Sequence, residues 1–122
     1  MSKRNVRFSP LSELQINAIW DYGYRHFGIK QADKYLDGIF DAVNEVAVNN
    51  QYKGLPPRLV PPELINTVTS IPIHYFKYEE HFIYLKDLSD GALGVICILG
   101  ARVDTPSRLK ENLLSPSSDI HG

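Results

Sequence analysis

The sequence has little cysteine and no long apolar run, and each shortage excludes a class of protein. Cys97 is the only cysteine among 122 residues, so the chain forms no internal disulfide and cannot build a cysteine-type zinc site alone. A reducing cytoplasm is therefore the expected compartment. The longest apolar runs lie near residues 95–99 and fall far short of the roughly 20 residues that cross a bilayer. The basic N-terminus leads into no apolar segment, so we expect neither a secretory signal nor a membrane partner.

The sequence also lacks an excess of one charge. Thirteen lysines and arginines against fourteen aspartates and glutamates leave a net charge of −1. Proteins that wrap RNA or DNA carry a large positive excess, because counterion release drives their binding. We therefore expect no direct sequence-specific binding of nucleic acid. Positive charge does collect locally, over residues 1–12 and again over 99–114, so a small basic site is compatible with the sequence.

The residues that are present suffice for one globular domain. Hydrophobic residues make up 43% of the chain and charged residues 22%, which is close to the average of folded domains. A length of 122 residues corresponds to a single domain, and neither a repeat nor a linker divides it. We predict one domain over residues 1–122, with its core at about 4–110 and a flexible tail at 115–122.

The first half of the chain has helical periodicity. Residues 4–8 are predicted to form a short strand, and Ser9-Pro10 then favours a helix start, since serine caps well and proline suits the first helical position. Apolar residues recur at helical spacing as far as Gly28, and again over residues 32–47. Two helices with so short a connection fold back as an antiparallel hairpin. The first helix is predicted to face the core through Leu11, Leu14, Ala18, Ile19, Tyr22 and Phe27.

The second half alternates with a period of two. After a proline-rich loop at 51–63, strands are predicted at 67–78, 81–88 and 93–99, and a last helical turn at 103–114. The predicted fold class is therefore α+β: an N-terminal strand, an antiparallel helical hairpin, a three-stranded antiparallel β-meander and a short C-terminal segment. Because the last strand is apolar on both sides, we expect a partner to cover the sheet face that the helices leave open.

Several short motifs follow one another in a set order over residues 6–110. They are Phe8-Ser9-Pro10-Leu11, Ile19-Trp20-Asp21-Tyr22, Phe27-Gly28, Gln31-Ala32-Asp33-Lys34-Tyr35-Leu36, Tyr75-Phe76-Lys77-Tyr78, His81-Phe82-Ile83-Tyr84 and Ile98-Leu99-Gly100-Ala101-Arg102-Val103-Asp104. Together they resemble the ParE branch of the ParE/RelE superfamily of bacterial type II toxins. Gly100 departs from the pattern, since members of the family usually have histidine there.

The resemblance implies a toxin that a cognate antitoxin binds and silences in a hetero-oligomer. Toxins of the ParE branch stall DNA gyrase, so the implied activity is inhibition of gyrase by direct binding, with no catalytic residue and no cofactor. The RelE branch implies an alternative, a ribosome-dependent mRNA endonuclease. That chemistry needs basic side chains and usually a late tyrosine, whereas the last tyrosine here is Tyr84. A third interpretation, which Gly100 keeps open, is a relative that only binds the antitoxin.

Target contacts are expected just after the last strand, where a strand end presents side chains to solvent. By the resemblance, we predict contacts from Arg102 and Asp104, with Arg108 and Lys110 as basic neighbours. An internal ion pair between Arg102 and Asp104 is an equally simple interpretation of the first two.

The predicted partner contacts are aromatic. Trp20 falls off the core face of the first helix, and Tyr75 and Tyr84 belong to the aromatic residues of the sheet, about half of which should face away from the helices. With a net charge of −1, stacking against an antitoxin is favoured over stacking on bases. We therefore predict that Trp20, Tyr75 and Tyr84 contact the antitoxin or another partner.

Other polar residues have plain structural interpretations. None of the four histidines stands at the spacing of a helical metal-binding pair, so no metal site is expected. His74 and His81 are predicted to be neighbours across a hairpin, and Cys97 to be a small buried hydrophobe. A row of carboxylates on the second helix is predicted to be a solvated face: Asp33, Asp37, Asp41 and Glu45.

Overall fold

A computed structural model of the chain describes residues 4–102 and 105–120. In chain order its elements are β1 (Val6–Phe8), α1 (Pro10–Phe27), α2 (Ile29–Asn49), β2 (Arg58–Leu59), α3 (Pro62–Ile65), β3 (His74–Tyr78), β4 (His81–Asp87), β5 (Leu93–Gly100), α4 (Thr105–Leu114) and a 3-10 helix at Pro116–Ser118. These strands form one sheet in the order β1-β5-β4-β3-β2. β1 runs parallel to β5, and the other neighbours are antiparallel. The predicted α+β fold, with a helical hairpin ahead of an antiparallel meander, is confirmed.

The helical hairpin has a tighter connection than the sequence predicts. Ser9 caps α1 by accepting a hydrogen bond from the Ser12 N–H at 3.0 Å. Gly28 alone separates the two helices, and its φ of 91° is an angle that side chains disfavour. A Cβ atom at Gly23 would lie 3.4 Å from the Cα of Ala32. The small residues at this crossing therefore let the two helices pack closely.

The buried face of α1 differs from the predicted one. Ile16 is 6% exposed and Ser12 is fully buried, while every residue of α1 after Gly23 is exposed. Apolar spacing could not separate this face from its neighbour, because the anchoring of α1 on β5 through Ser9 decides which side points to the sheet. The prediction of a core position is wrong for Leu14, Ala18, Tyr22 and Phe27.

The first core lies between the hairpin and the sheet. α2 contributes most of its apolar stripe to it, with Ile39 completely buried, and three of the four predicted solvent-facing carboxylates of α2 are exposed. The fourth, Glu45, is half-buried and accepts a hydrogen bond from the Lys53 N–H at 3.2 Å. The buried members of this core are Ile16, Ile39, Ala42, Val43, Val46, Ala47, Phe76, Ile83, Leu85, Leu93, Val95 and Ile98.

The opposite face of the sheet is covered by the chain itself, which corrects the prediction of an open face. The strand predicted from residue 67 begins only at His74, because Pro72 cannot donate to a ladder. The chain before it, with α3, and helix α4 pack over the sheet instead. This second core consists of Val60, Ile65, Ile73, Tyr84, Ile96, Cys97, Leu99 and Leu109.

The C-terminal segment is ordered further than the sequence predicts. Residues 116–118 form a 3-10 helix where a frayed tail is expected. Ser118 is 3% exposed and its hydroxyl donates to the Ser115 carbonyl at 2.8 Å. Along the described chain, no helix combines the length and the apolar character needed to cross a membrane.

A β-bulge in β5 decides which side chains share a face. The register of β4 with β5 shifts by one residue, so that Ile96 has no partner in β4. Ile96 and Cys97 therefore both face the second core, and Ile98 joins Val95 in the first. Strict alternation would group Val95 with Cys97. The bulge therefore decides which residues of β5 belong to each core.

The part of β5 that extends beyond its pairing with β1 forms hydrogen bonds with side chains at the start of α1. The Ser9 hydroxyl donates to the Ile96 carbonyl at 2.5 Å, and Gln15 Oε1 accepts from the Ile98 N–H at 2.7 Å. Gln15 Nε2 also donates to Asn112 Oδ1 at 2.7 Å. One glutamine thus connects α1, the end of β5 and the last turn of α4.

Candidate functional site

The predicted target contacts lie after the C-terminal end of β5. The Arg102 side chain is 89% exposed, and its Nε lies 3.4 Å from Oε2 of Glu80, which is 65% exposed. So exposed an ion pair contributes little to stability. Asp104 lies outside the described residues, so its predicted pairing with Arg102 stays a prediction.

The two further cations belong to α4. Leu109 is 3% exposed and anchors the helix on the second core, while Arg108 and Lys110 on either side of it are exposed. Successive helical residues are about 100° apart, so these two side chains leave opposite flanks of α4. The structure therefore presents Arg102, Arg108 and Lys110 as separate exposed cations around one end of the sheet.

A half-buried chain of hydrogen bonds lies directly behind Glu80. The Glu80 N–H donates to the Tyr35 hydroxyl oxygen at 3.3 Å, and that hydroxyl lies 2.7 Å from Nδ1 of His81. The Tyr35 hydroxyl has one proton and two acceptor lone pairs, so it can accept the amide N–H and still share a hydrogen bond with the His81 ring, whose tautomer decides which of the two donates. Burial raises the pKa of Tyr35 to about 12 and lowers the pKa of His81. Both groups are therefore neutral at pH 7.

This contact is one that sequence reasoning missed. The register pairs His74 with Leu85 and His81 with Tyr78, so the two histidines lie at opposite ends of the β3–β4 pair. The prediction that they are neighbours is wrong, because the turn is centred on residues 79–80 and not at the midpoint between the two histidines. The sequence signal for the contact was the position of Tyr35 on the apolar stripe of α2, which predicts that its side chain faces the sheet.

Acidification should destabilise the fold through His81. Its folded pKa lies below the ordinary value near 6.5, so the unfolded state binds the proton more readily. The stability it confers is present above about pH 6.5 and is lost as pH falls through the folded pKa. Thermal melts between pH 7.5 and 5 should show a smaller pH dependence for His81→Gln than for the unmodified chain. An unchanged pH dependence would contradict this, and the exposed His26→Gln is the matched control.

The predicted partner residues have very different environments. Tyr84 is 4% exposed and belongs to the second core, so α4 removes it from any partner in this conformation. Tyr75 is half-buried at the rim of that core, with its ring centroid 5.7 Å from those of Phe82 and Tyr84. Trp20 is half-buried, donates from Nε1 to Asp33 Oδ1 at 2.9 Å and stacks on Tyr24 at 5.2 Å. Trp20 and Tyr75 thus remain accessible.

Four large apolar side chains are exposed around the closed end of the hairpin, and two of them, Tyr22 and Phe27, were predicted to face the core. Phe27 is 67% exposed, Tyr22 60%, Ile29 56% and Tyr24 50%. Single exposed apolar side chains are ordinary, whereas four large ones within eight residues are typical of an interaction surface. We refer to Tyr22, Tyr24, Phe27 and Ile29 as the hairpin patch.

Within residues 4–102 and 105–120, no three histidine, cysteine or acidic side chains are close enough to hold a metal ion. The exposed features described above are cations around the end of β5 and an apolar patch on the hairpin. Such features are suited to binding a macromolecular partner.

Comparison with known proteins gives relatives of one kind. No protein-family model matches the chain. In sequence it is similar to the toxin ParE1 of Mycobacterium tuberculosis, from strains CDC 1551 / Oshkosh and ATCC 25618 / H37Rv. Each is 25% identical over 111 residues, which cover 89% of this chain and 100% of the relative.

A solved structure extends the likeness to the fold. The chain is similar to a chain of the chromosomal ParDE TA system from P. aeruginosa, with a TM-score of 0.59 and 16% identity. The match covers 82% of this chain and 98% of the other. The sequence match over nearly the whole chain and the shared fold confirm the resemblance to ParE-type toxins that the order of the motifs indicates.

Proposed function

We propose that the chain is the toxin of a type II toxin–antitoxin pair, that it inhibits DNA gyrase in the cytoplasm by binding it, and that a cognate antitoxin neutralises it. The observation that carries the proposal is the likeness to the toxin ParE1 over 111 residues. The ParE branch of toxins, which the motifs resemble, is the branch that acts on gyrase.

The exposed cations around the end of β5 support a mechanism of binding without catalysis. Arg102 extends into solvent beside the exposed turn at Glu79-Glu80, where a guanidinium can make several directional hydrogen bonds to a protein partner. The titratable groups directly behind it, Tyr35 and His81, are engaged with each other at 2.7 Å. We propose Arg102 as the central contact to gyrase, with Asp104, Arg108 and Lys110 around it.

The hairpin patch supports a separate surface for the antitoxin. Its four large side chains are half or more exposed, and Trp20 adjoins it by stacking on Tyr24. Burying such side chains against an apolar partner segment contributes roughly 1.5–3 kcal/mol each. We propose that the antitoxin covers this patch together with Trp20, and that Tyr75 is a contact at the rim of the sheet.

A supercoiling assay tests the proposed target. The purified chain should block supercoiling by gyrase, and the product of the adjacent gene should restore it when added in equimolar amount. Leu14→Ser, exposed on α1 and outside the hairpin patch, should be neutralised like the unmodified chain, whereas Phe27→Ser should escape. Supercoiling at the full rate in a molar excess of folded chain would contradict gyrase as the target.

The endonuclease alternative predicts a different product. Because the chain lacks a tyrosine after Tyr84 and carries a net charge of −1, we expect no cleavage of mRNA on translating ribosomes. Primer extension on ribosome-bound message measures this directly. Cuts within codons that depend on the added chain would establish the endonuclease instead.

A further inference from the structure

A cleft of about 470 Å³ opens at the outer edge of β3, apart from the hairpin patch and Arg102, and includes Tyr75 at the rim of the sheet. The segment that leads into β2 forms one wall, and β3 with the start of β4 forms the other. Its charged and aromatic lining is Tyr52, Lys53, Arg58, Tyr75, Phe76, Lys77, Glu79 and Phe82. Such a mixture of cations and rings is unusual on a chain whose net charge is −1.

Two prolines directly before β2 create the cleft, because they keep the strand from starting earlier and pairing with Lys77. Proline has no N–H to give to a ladder, so after Pro56-Pro57 the strand has only two residues and pairs only with His74 and Tyr75. The Val60 N–H donates to the Ile73 carbonyl at 2.8 Å. In an antiparallel ladder every second residue faces the same neighbour, so the N–H and C=O of Lys77 point to that side as well. No described strand lies there to receive them.

The three cations of the cleft lack a carboxylate partner. Four arginines elsewhere pair with acids, as Arg4–Asp87, Arg7–Asp90, Arg25–Asp21 and Arg102–Glu80. Among the described residues no carboxylate forms such a pair with Lys53, Arg58 or Lys77. Lys53 Nζ lies instead 5.5 Å from the centre of the Tyr52 ring. Three cations and one carboxylate, Glu79, therefore line the cleft, which leaves its lining with an excess of positive charge.

The sheet register arranges these groups in a repeating order. Arg58 lies opposite Tyr75, and Lys77 lies opposite Phe82, and residues opposite each other in a sheet project from the same face. Cationic and aromatic side chains therefore alternate across one face beside the free edge of Lys77. An extended chain also repeats every second residue, so its side chains match this spacing.

We propose that the cleft binds an extended acidic segment of a partner protein, added as a strand beside Lys77. The main chain of the segment pairs with the free N–H and C=O of Lys77. Its carboxylates project from the face that carries Arg58 and Lys77, and its apolar side chains project from the opposite face, where the rings of Tyr52 and Phe76 line the cleft. A peptide is favoured over RNA because the edge offers main-chain pairing, which a phosphodiester backbone cannot form. The proposal does not depend on gyrase being the target.

Fluorescence anisotropy with a labelled eight-residue peptide, in which glutamate alternates with valine, tests the proposal on the full chain. We expect saturable binding that weakens with added salt and at least about tenfold in Arg58→Gln/Lys77→Gln. The matched control Lys30→Gln/Lys34→Gln removes two exposed lysines of α2 and should bind unchanged. The same peptide with alternate amide nitrogens methylated should lose binding, because it cannot pair as a strand.

Several outcomes would overturn the proposal. One is the absence of saturable binding at low salt by a chain that melts normally. Another is equal binding by the two double variants, which would place the peptide elsewhere. Tighter binding of an eight-nucleotide oligouridine that competes with the peptide and depends on Arg58 and Lys77 would make the ligand a nucleic acid instead.

Discussion

Arg102→Ala should weaken inhibition of gyrase supercoiling about 30-fold and leave the melting temperature unchanged. Losing an arginine from the centre of an interface costs about 2 kcal/mol, and each 1.4 kcal/mol is a factor of ten in affinity. The fold should not change, because the side chain is 89% exposed and its ion pair with Glu80 is exposed too. Titration of the variant into a supercoiling assay, beside a thermal melt, measures both quantities.

The control for this experiment is Glu80→Gln, which removes the ion pair but keeps Arg102. If Arg102 acts only through that pair, the two variants should lose inhibition and stability alike. Asp104→Asn is the corresponding control for the partner that the sequence predicts. Full inhibition by a folded Arg102→Ala chain would refute the proposed contact.

Ser9→Ala should lower the free energy of unfolding by about 3 kcal/mol and the melting temperature by about 10 °C. The buried Ser9 hydroxyl accepts from the Ser12 N–H as the cap of α1 and donates to the Ile96 carbonyl at the bulge. Alanine removes the cap and deprives a buried carbonyl of a donor at the same time. Urea and thermal unfolding followed by circular dichroism measure the loss.

Ser12→Ala is a matched control one helical turn away. Ser12 is also fully buried, and its hydroxyl donates to the Ser9 carbonyl at 2.8 Å. That carbonyl keeps the Glu13 N–H at 3.1 Å as a donor, so we expect a loss of about 1 kcal/mol. Equal losses of unfolding free energy in the two variants would show that the hydrogen bond from Ser9 to the bulge contributes no more than the one from Ser12.

Local signals predicted the fold where they were strong. The helices of the hairpin are long, periodic and bounded by Ser9-Pro10 and Gly28, and the turn at 89–91 separates two clear strands. Spacing could not predict which side of α1 faces the sheet, since that depends on the attachment of Ser9 to β5. It also could not predict the extra residue at Ile96, because a bulge interrupts the alternation that a strand prediction assumes.

The candidate surfaces likewise include some that could be predicted from the sequence and some that could not. The exposure of Arg102 follows from its place just after a strand, whereas the burial of Tyr84 depends on α4, which folds back from a distant part of the chain. The hairpin patch was missed because Tyr22 and Phe27 have the spacing of core residues. The cleft could not be predicted, because it depends on which residue of β3 is left unpaired where Pro56-Pro57 keep β2 from starting earlier. That residue, Lys77, is identified by the strand pairing and not by the sequence.

The depth of Cys97 in the sheet has a practical consequence for labelling. It is fully buried in β5, and burial raises its pKa to about 12, so the native thiol is neither accessible nor ionised at neutral pH. A maleimide dye or spin label should therefore not react with Cys97 in the folded chain. Leu14→Cys or Lys110→Cys would then carry the label at a single chosen place, on the hairpin or on α4. Distances from either label to a bound partner can be measured without first removing the natural cysteine.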